Sequence, residues 1–176
     1  MRGLQQIKKS AGMVIMSFAT TFVSPIGIAG ELSEYKRLAQ HTIDQAQKGN
    51  ITNIDELIIQ QEKLVQLGVD ACNDYSNKHP KAKRILELVT SNAGTMKQLT
   101  LSEIEEKWHH GGELKKHGYT VKEDHFGAVG NLIDAVIHPA TTYIALNKYK
   151  RDQNPEYLQQ VVAELSEVLV HIQHLE

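Results

Sequence analysis

The sequence predicts an all-α fold, an antiparallel bundle of four to five amphipathic helices preceded by an N-terminal signal segment. Three observations carry that expectation. Glycine, proline and aromatic residues are sparse (12 Gly, 4 Pro and 6% aromatic in 176 residues), whereas strong helix formers are common. Apolar residues recur at three- and four-residue steps over most of the chain after position 30. Those stripes are broken at short intervals by Gly-Asn, His-Pro, Gly-Gly and Asn-Pro, which punctuate helices.

The first 29 residues have the layout of an export signal. Arg2, Lys8 and Lys9 are basic, no charge follows from Ser10 to Gly30, and Met13 to Val23 is mostly apolar. Ser24-Pro25 breaks the run, and Gly27-Ile28-Ala29 sets small residues at −3 and −1 of a cut after Ala29. An uncleaved membrane anchor is the rival reading, since Ser10 to Gly30 just reaches bilayer length, but its polar and late small residues argue for cleavage. The expected domains are therefore a signal peptide over 1–29 and one helical domain over 30–176. The expected location is periplasmic or secreted, with membrane attachment only if the signal stays uncut.

Cleavage leaves 147 residues with 16 basic and 21 acidic side chains, against a net charge of −2 for the whole chain. A mildly acidic chain without a basic patch interleaved with aromatics excludes a nucleic-acid partner. Cys72, the single cysteine, cannot form an internal disulfide; it lies mid-stripe, where a small buried hydrophobe is expected and an intermolecular bridge is the alternative.

In chain order, Leu32, Tyr35, Ala39, Thr42, Ile43 and Ala46 form the first stripe, ended by Gly49-Asn50. Asn53 caps a second helix whose stripe runs from Ile54 through Gln61, Gly68 and Cys72 to Tyr75. His79-Pro80 ends it. A shorter third helix turns Ile85, Leu88 and Val89 inward and is expected to close at Ser91-Asn92-Ala93-Gly94. The next starts at Thr100 or Ser102, with Ser102 to Glu105 fitting a capping box, and shows a short apolar face of Leu101, Ile104 and Trp108 before Gly111-Gly112 interrupts it. One or two turns around Leu114 stop at Gly118. Asp124 is expected to cap a fifth helix, with Phe126, Val129, Ile133, Val136, Ile137, Ala140 and Ile144 inward and a kink at Pro139. Asn154-Pro155 opens the last helix, whose stripe runs from Leu158 to Ile172.

Chemistry is expected between Leu101 and Pro139, which hold five of the nine histidines and the only tryptophan. Glu106 lies three residues before His109 and four before His110, within reach of either ring, and Glu113 extends that face if the helix continues. Glu-x-x-His is a ligand spacing of carboxylate-bridged metal bundles, but those use two such motifs and this chain has one; a solvated face with local ion pairs explains it as well. On the fifth helix, Gly127, Asn131, Asp134, His138, Thr142 and Ala145 share a side of small or polar residues, with no lysine or arginine before Lys148. That composition suits close approach by a ligand or by another helix. Asp134 and His138 are four apart, so the carboxylate can orient the imidazole or share a metal.

The candidate metal ligands are thus Glu106, His109, Glu113, Asp134 and His138, a nitrogen and oxygen set suited to zinc, iron, copper or nickel. Trp108, His110, Asn131 and Thr142 are the candidate ligand-contact residues, and non-covalent haem is a further possible ligand. His171 and His174 are explained by the dipole at a helix C-terminus. There is no Cys-x-x-Cys-His, phosphate loop, Gly-x-Ser-x-Gly or His-Glu-x-x-His, and no nucleophile or oxyanion hole can be named. The reading leans to a non-enzymatic exported protein binding a small ligand or metal. Its alternative is a structural or adaptor protein that docks a partner helix, from an envelope protein or a second copy, on the small-residue side of the fifth helix.

Overall fold

A computed structural model describes residues 28–49, 51–119 and 127–175. The described residues are helical, without strands, and pack seven α-helices together. These are α1 (Ile28–Gln47), α2 (Ile54–Lys78), α3 (Pro80–Met96), α4 (Leu101–Ile104), α5 (Gly112–Lys116), α6 (Ala128–Asp152) and α7 (Glu156–Ile172). A π-helical stretch, Glu105–His109, joins α4 to α5, and a 3-10 turn, Gln173–Leu175, follows α7. Residues 1–27 of the expected signal segment over 1–29 lie outside the described residues, as do Asp124, His125 and Phe126, while Ile28 and Ala29 begin α1; the fifth helix starts at Ala128 after an N-cap at Gly127, not at the expected Asp124. No helix among the described residues is long and apolar enough to cross a membrane.

The boundaries follow local chemistry. Gly49 takes a left-handed φ of 69° after α1. The Asn53 side chain accepts from the Glu56 N–H at the start of α2. His79 closes α2 and Pro80 opens α3 at its first position. Asn154 Oδ1 accepts from the Glu156 N–H at 3.0 Å, and the N-cap of α7 is Pro155, one residue after the expected Asn154.

Two further boundaries differ from expectation. The third helix runs through Ser91 to Gly94 and ends at Met96, because Ala82, Leu86, Val89, Ala93 and Met96 form one buried row and the polar residues serve the helix. Asn92 donates to the Leu88 carbonyl at 2.8 Å and Thr95 to the Asn92 carbonyl at 2.8 Å. Burial of that row outweighs the local preference of Ser and Asn for turns. The capping box sits two residues earlier, at Thr100 and Glu103 instead of Ser102 and Glu105. Thr100 Oγ1 accepts from the Glu103 N–H, and the Glu103 carboxylate accepts from the Thr100 N–H at 2.9 Å. Thr100→Ala should cost about 1 kcal/mol in a chemical denaturation curve, the usual loss for an N-cap.

Helix α6 is the axis of the molecule. It packs on α2, α3 and α7, and its residues divide between two core clusters. Ala135, Ala145 and Leu146 join α1, α2 and α7; Leu132, Ile133, Val136 and Ile137 join α2, α3 and Trp108. The expected single inward stripe is therefore corrected to burial on nearly every side. The absence of lysine and arginine before Lys148 is what permits this.

Pro139 sits inside α6 and has no N–H to give the carbonyl of Ala135. The buried hydroxyl of Tyr35 on α1 donates to that carbonyl at 2.9 Å. Gly68 on α2 lies directly against the same carbonyl, where a Cβ would collide with it. The proline, the tyrosine and the glycine thus form one contact among three helices. Cys72, one turn on, is fully buried with its thiol 3.3 Å from the Leu132 carbonyl. Burial pushes its pKa up to about 12, so it serves as a core residue.

Candidate metal centre

Three elements bring side chains to one partly enclosed place. The π-helical stretch carries His109, α6 carries Asp134, His138 and Thr141, and α7 carries Glu164 and His171. In the π turn the His110 N–H reaches the Glu105 carbonyl, five residues back, at 2.9 Å. The extra residue per turn breaks the α-helical phase that would set Glu106, His109 and His110 on one face. His109 turns inward at 15% side-chain exposure, while His110 stays out at 63% beside Glu105 and Glu106.

Glu164 is the hub. Its Oε2 is 2.7 Å from Nδ1 of His138 and 3.5 Å from Nε2 of His109. The two imidazoles meet edge to face with centroids 4.9 Å apart. His109 Nε2 also lies 2.8 Å from Thr141 Oγ1, whose proton is donated to the Ile137 carbonyl, so the ring donates to the hydroxyl. On the other side of His138, at a centroid distance of 5.9 Å, His171 places Nδ1 2.7 Å from Asp134 Oδ2.

Electrostatics separate the two histidines nearest Glu164. Burial disfavours the cationic form of His138, but the Glu164 hydrogen bond and the charges of Glu164, Asp134 and Glu167 prevail and raise its pKa. Burial prevails at His109, aided by the neighbouring His138 against the opposing pull of Glu164, and lowers its pKa. The Glu164 carboxyl, despite its own burial, is held below the usual carboxylate range by His138 and His109. One ring of the pair is thus kept neutral, the state in which imidazole binds metals.

The cluster opens on a cavity of about 270 Å³. Trp108, Leu114, Tyr119, Ile133 and Ile137 form its apolar wall; Glu105, Asp134, Glu164 and Glu167 supply carboxylates, with His109, His110 and His138 among them. Two sets of ligand atoms each lie within 4.8 Å of one another: His109, His138 and Glu164, and Asp134, His138 and His171.

Of the residues expected as ligands, the structure brings together His109, Asp134 and His138. It does not bring Glu106, whose side chain is 80% exposed, nor Glu113, which pairs with Lys116 at 2.8 Å. Trp108 and His110 line the cavity. Asn131 and Thr142 are fully buried but do not line it; Thr141, the residue before Thr142, reaches His109 instead. The small-residue side of α6 that was open to a partner helix is used within the chain, where Asp134 and His138 meet α7.

Sequence reasoning missed Glu164 and assigned His171 to its helix dipole alone. The available signal was their spacing of seven, two helical turns, which sets both on one side of α7 at the edge of its stripe. No protein-family model, curated protein sequence or solved structure matches the chain.

Proposed function

We propose that this protein binds a divalent transition-metal ion through His109, His138 and Glu164. The observation that carries the reading is the convergence of two imidazoles and a carboxylate from three separate elements within 4.8 Å, at the wall of a partly enclosed cavity. Burying these groups costs free energy, which a single carboxylate shared between two rings offsets only in part. An ion bound at about 2.0–2.2 Å from each ligand would replace the lost hydration of all three. Such a set suits zinc and its neighbours in the first transition row. The cavity beside it leaves room for water or a small ligand at a further coordination position. Haem fits poorly, because about 270 Å³ falls below the usual size of small-molecule pockets and Glu164 lies between the two rings.

The residues at 1–29, read as an export signal, extend the proposal to metal binding outside the cytoplasm; fractionation of cells expressing the full chain tests that part. The binding itself is tested with tag-free protein loaded with Zn(II), dialysed and measured by elemental analysis. Retention of at least one ion per chain is expected, with loss in the His109→Ala/His138→Ala double variant. Equal metal content in the two proteins would overturn the reading.

A further inference from the structure

The five buried or half-buried ligand groups do not behave as one set. Among the described residues their ligand atoms fall within 4.8 Å of one another in two sets of three, with His138 in both. Opposed ligands on a single ion are separated by at most about 4.4 Å, twice a bond length of 2.0–2.2 Å. A cluster in two such groups is therefore too extended for one ion. The contacts divide in the same way. Glu164 touches His109 and His138, while Asp134 touches His171. The ring of His138 packs against both of the others, with centroids at 4.9 and 5.9 Å.

Resting on the metal-binding reading above, we propose that the site is dinuclear, with a second divalent ion held by Asp134 and His171 and with His138 shared between the two ions. The Nδ1 atom of His138 faces Glu164, and in the shared arrangement its Nε2 serves the second ion. An imidazole holding a metal on each nitrogen is an imidazolate, so filling the second position releases the remaining ring proton to solvent. The charge of the cavity accommodates this. Its wall carries Glu105, Asp134, Glu164 and Glu167, and no lysine or arginine among the described residues. Four carboxylates around so small a space call for cationic compensation, which two divalent ions supply more fully than one. Glu167 lies one turn from both Glu164 and His171 on α7, placed to reach either ion.

The test uses tag-free full-length protein. Zn(II) is titrated calorimetrically and the bound ions are counted by elemental analysis. Cu(II) is then added at one and two equivalents and followed by electron paramagnetic resonance. Two ions per chain are expected, and the second Cu(II) should reduce the signal of the first, because two cupric ions on one imidazolate couple antiferromagnetically. Asp134→Asn and His171→Gln, each verified as folded by circular dichroism, should bind one ion. One ion in the unaltered protein overturns the second position and leaves the metal-binding reading intact. Two ions in either variant overturn the assignment of Asp134 and His171. Two ions with additive copper signals overturn the sharing of His138, and no ion at all overturns both readings. The unaltered protein's metal count and copper signals decide the matter even if a variant fails to fold.

Discussion

Glu164→Gln should reverse the sign of the pH dependence that His138 contributes to stability. In the native protein the pKa of His138 is raised above its ordinary value near 6.5. Its contribution to stability is therefore fully present below the unfolded value and is lost as pH rises through the folded one. Glu164 is depressed below 4.5, so its contribution is present above that value and is lost as pH falls through its folded pKa. The pair is worth most between roughly pH 4.5 and 6.5. With glutamine at 164, burial acts on His138 without its main opponent, and the pKa falls. The folded state then binds fewer protons than the unfolded one, and stability declines as pH drops below about 6.5. His109 loses the same carboxylate and moves in the same direction.

The expected loss for metal-free protein is about 2–3 kcal/mol at pH 5.5, as for other buried charged pairs broken on one side, and less at pH 8.5, where the rings are neutral. Urea denaturation at the two pH values reads the difference, and the imidazole shifts in a proton NMR titration read the fall at His138. An equal loss at both pH values would show that Glu164 and His138 do not act as an ion pair.

Gly68→Val should be the most damaging single change in the α1, α2 and α6 contact, at about 3 kcal/mol or more. A side chain at 68 would strike the Ala135 carbonyl and press on Val136. It would also spread α2 from α6 where Tyr35 donates to the carbonyl that Pro139 leaves unpaired. A core cannot yield here by rotating a flexible side chain, because the atom in the way belongs to the backbone. Thermal or urea denaturation checks the loss, and Pro139→Ala in the same background tests its origin. Restoring the N–H at 139 gives the carbonyl another partner without relieving the collision, so it should recover only a small part. Full recovery would show that the damage lies in the lost hydrogen bond.

The helices of this protein can be read from local pattern because their ends are local events. Asn53, His79-Pro80, Gly49, Gly111 and Asn154 each act on residues within one turn, and the apolar spacing between them sets which rows are buried. The end of α3 escaped that logic, since Ser91 and Asn92 satisfy their side chains on the helix itself once Ala93 and Met96 are buried. The candidate site was visible in half. His109, Asp134 and His138 stood out through residue type and spacing. Glu106 and Glu113 belonged to the same apparent face only while the segment was taken as α-helical.

Residue order alone determined an all-helical chain, the places where most of its helices begin and end, and the poverty of long charged side chains along α6. Tertiary structure alone decided which carboxylate meets which ring. The π turn swings His109 away from Glu106, and α7 delivers Glu164 and His171 from a remote part of the chain to the polar side of α6. A periodic pattern encodes how far each side chain is turned about its own helix axis. It carries no information on which foreign helix arrives opposite, because that is set by the packing of whole apolar faces, and the ligand set follows from the packing.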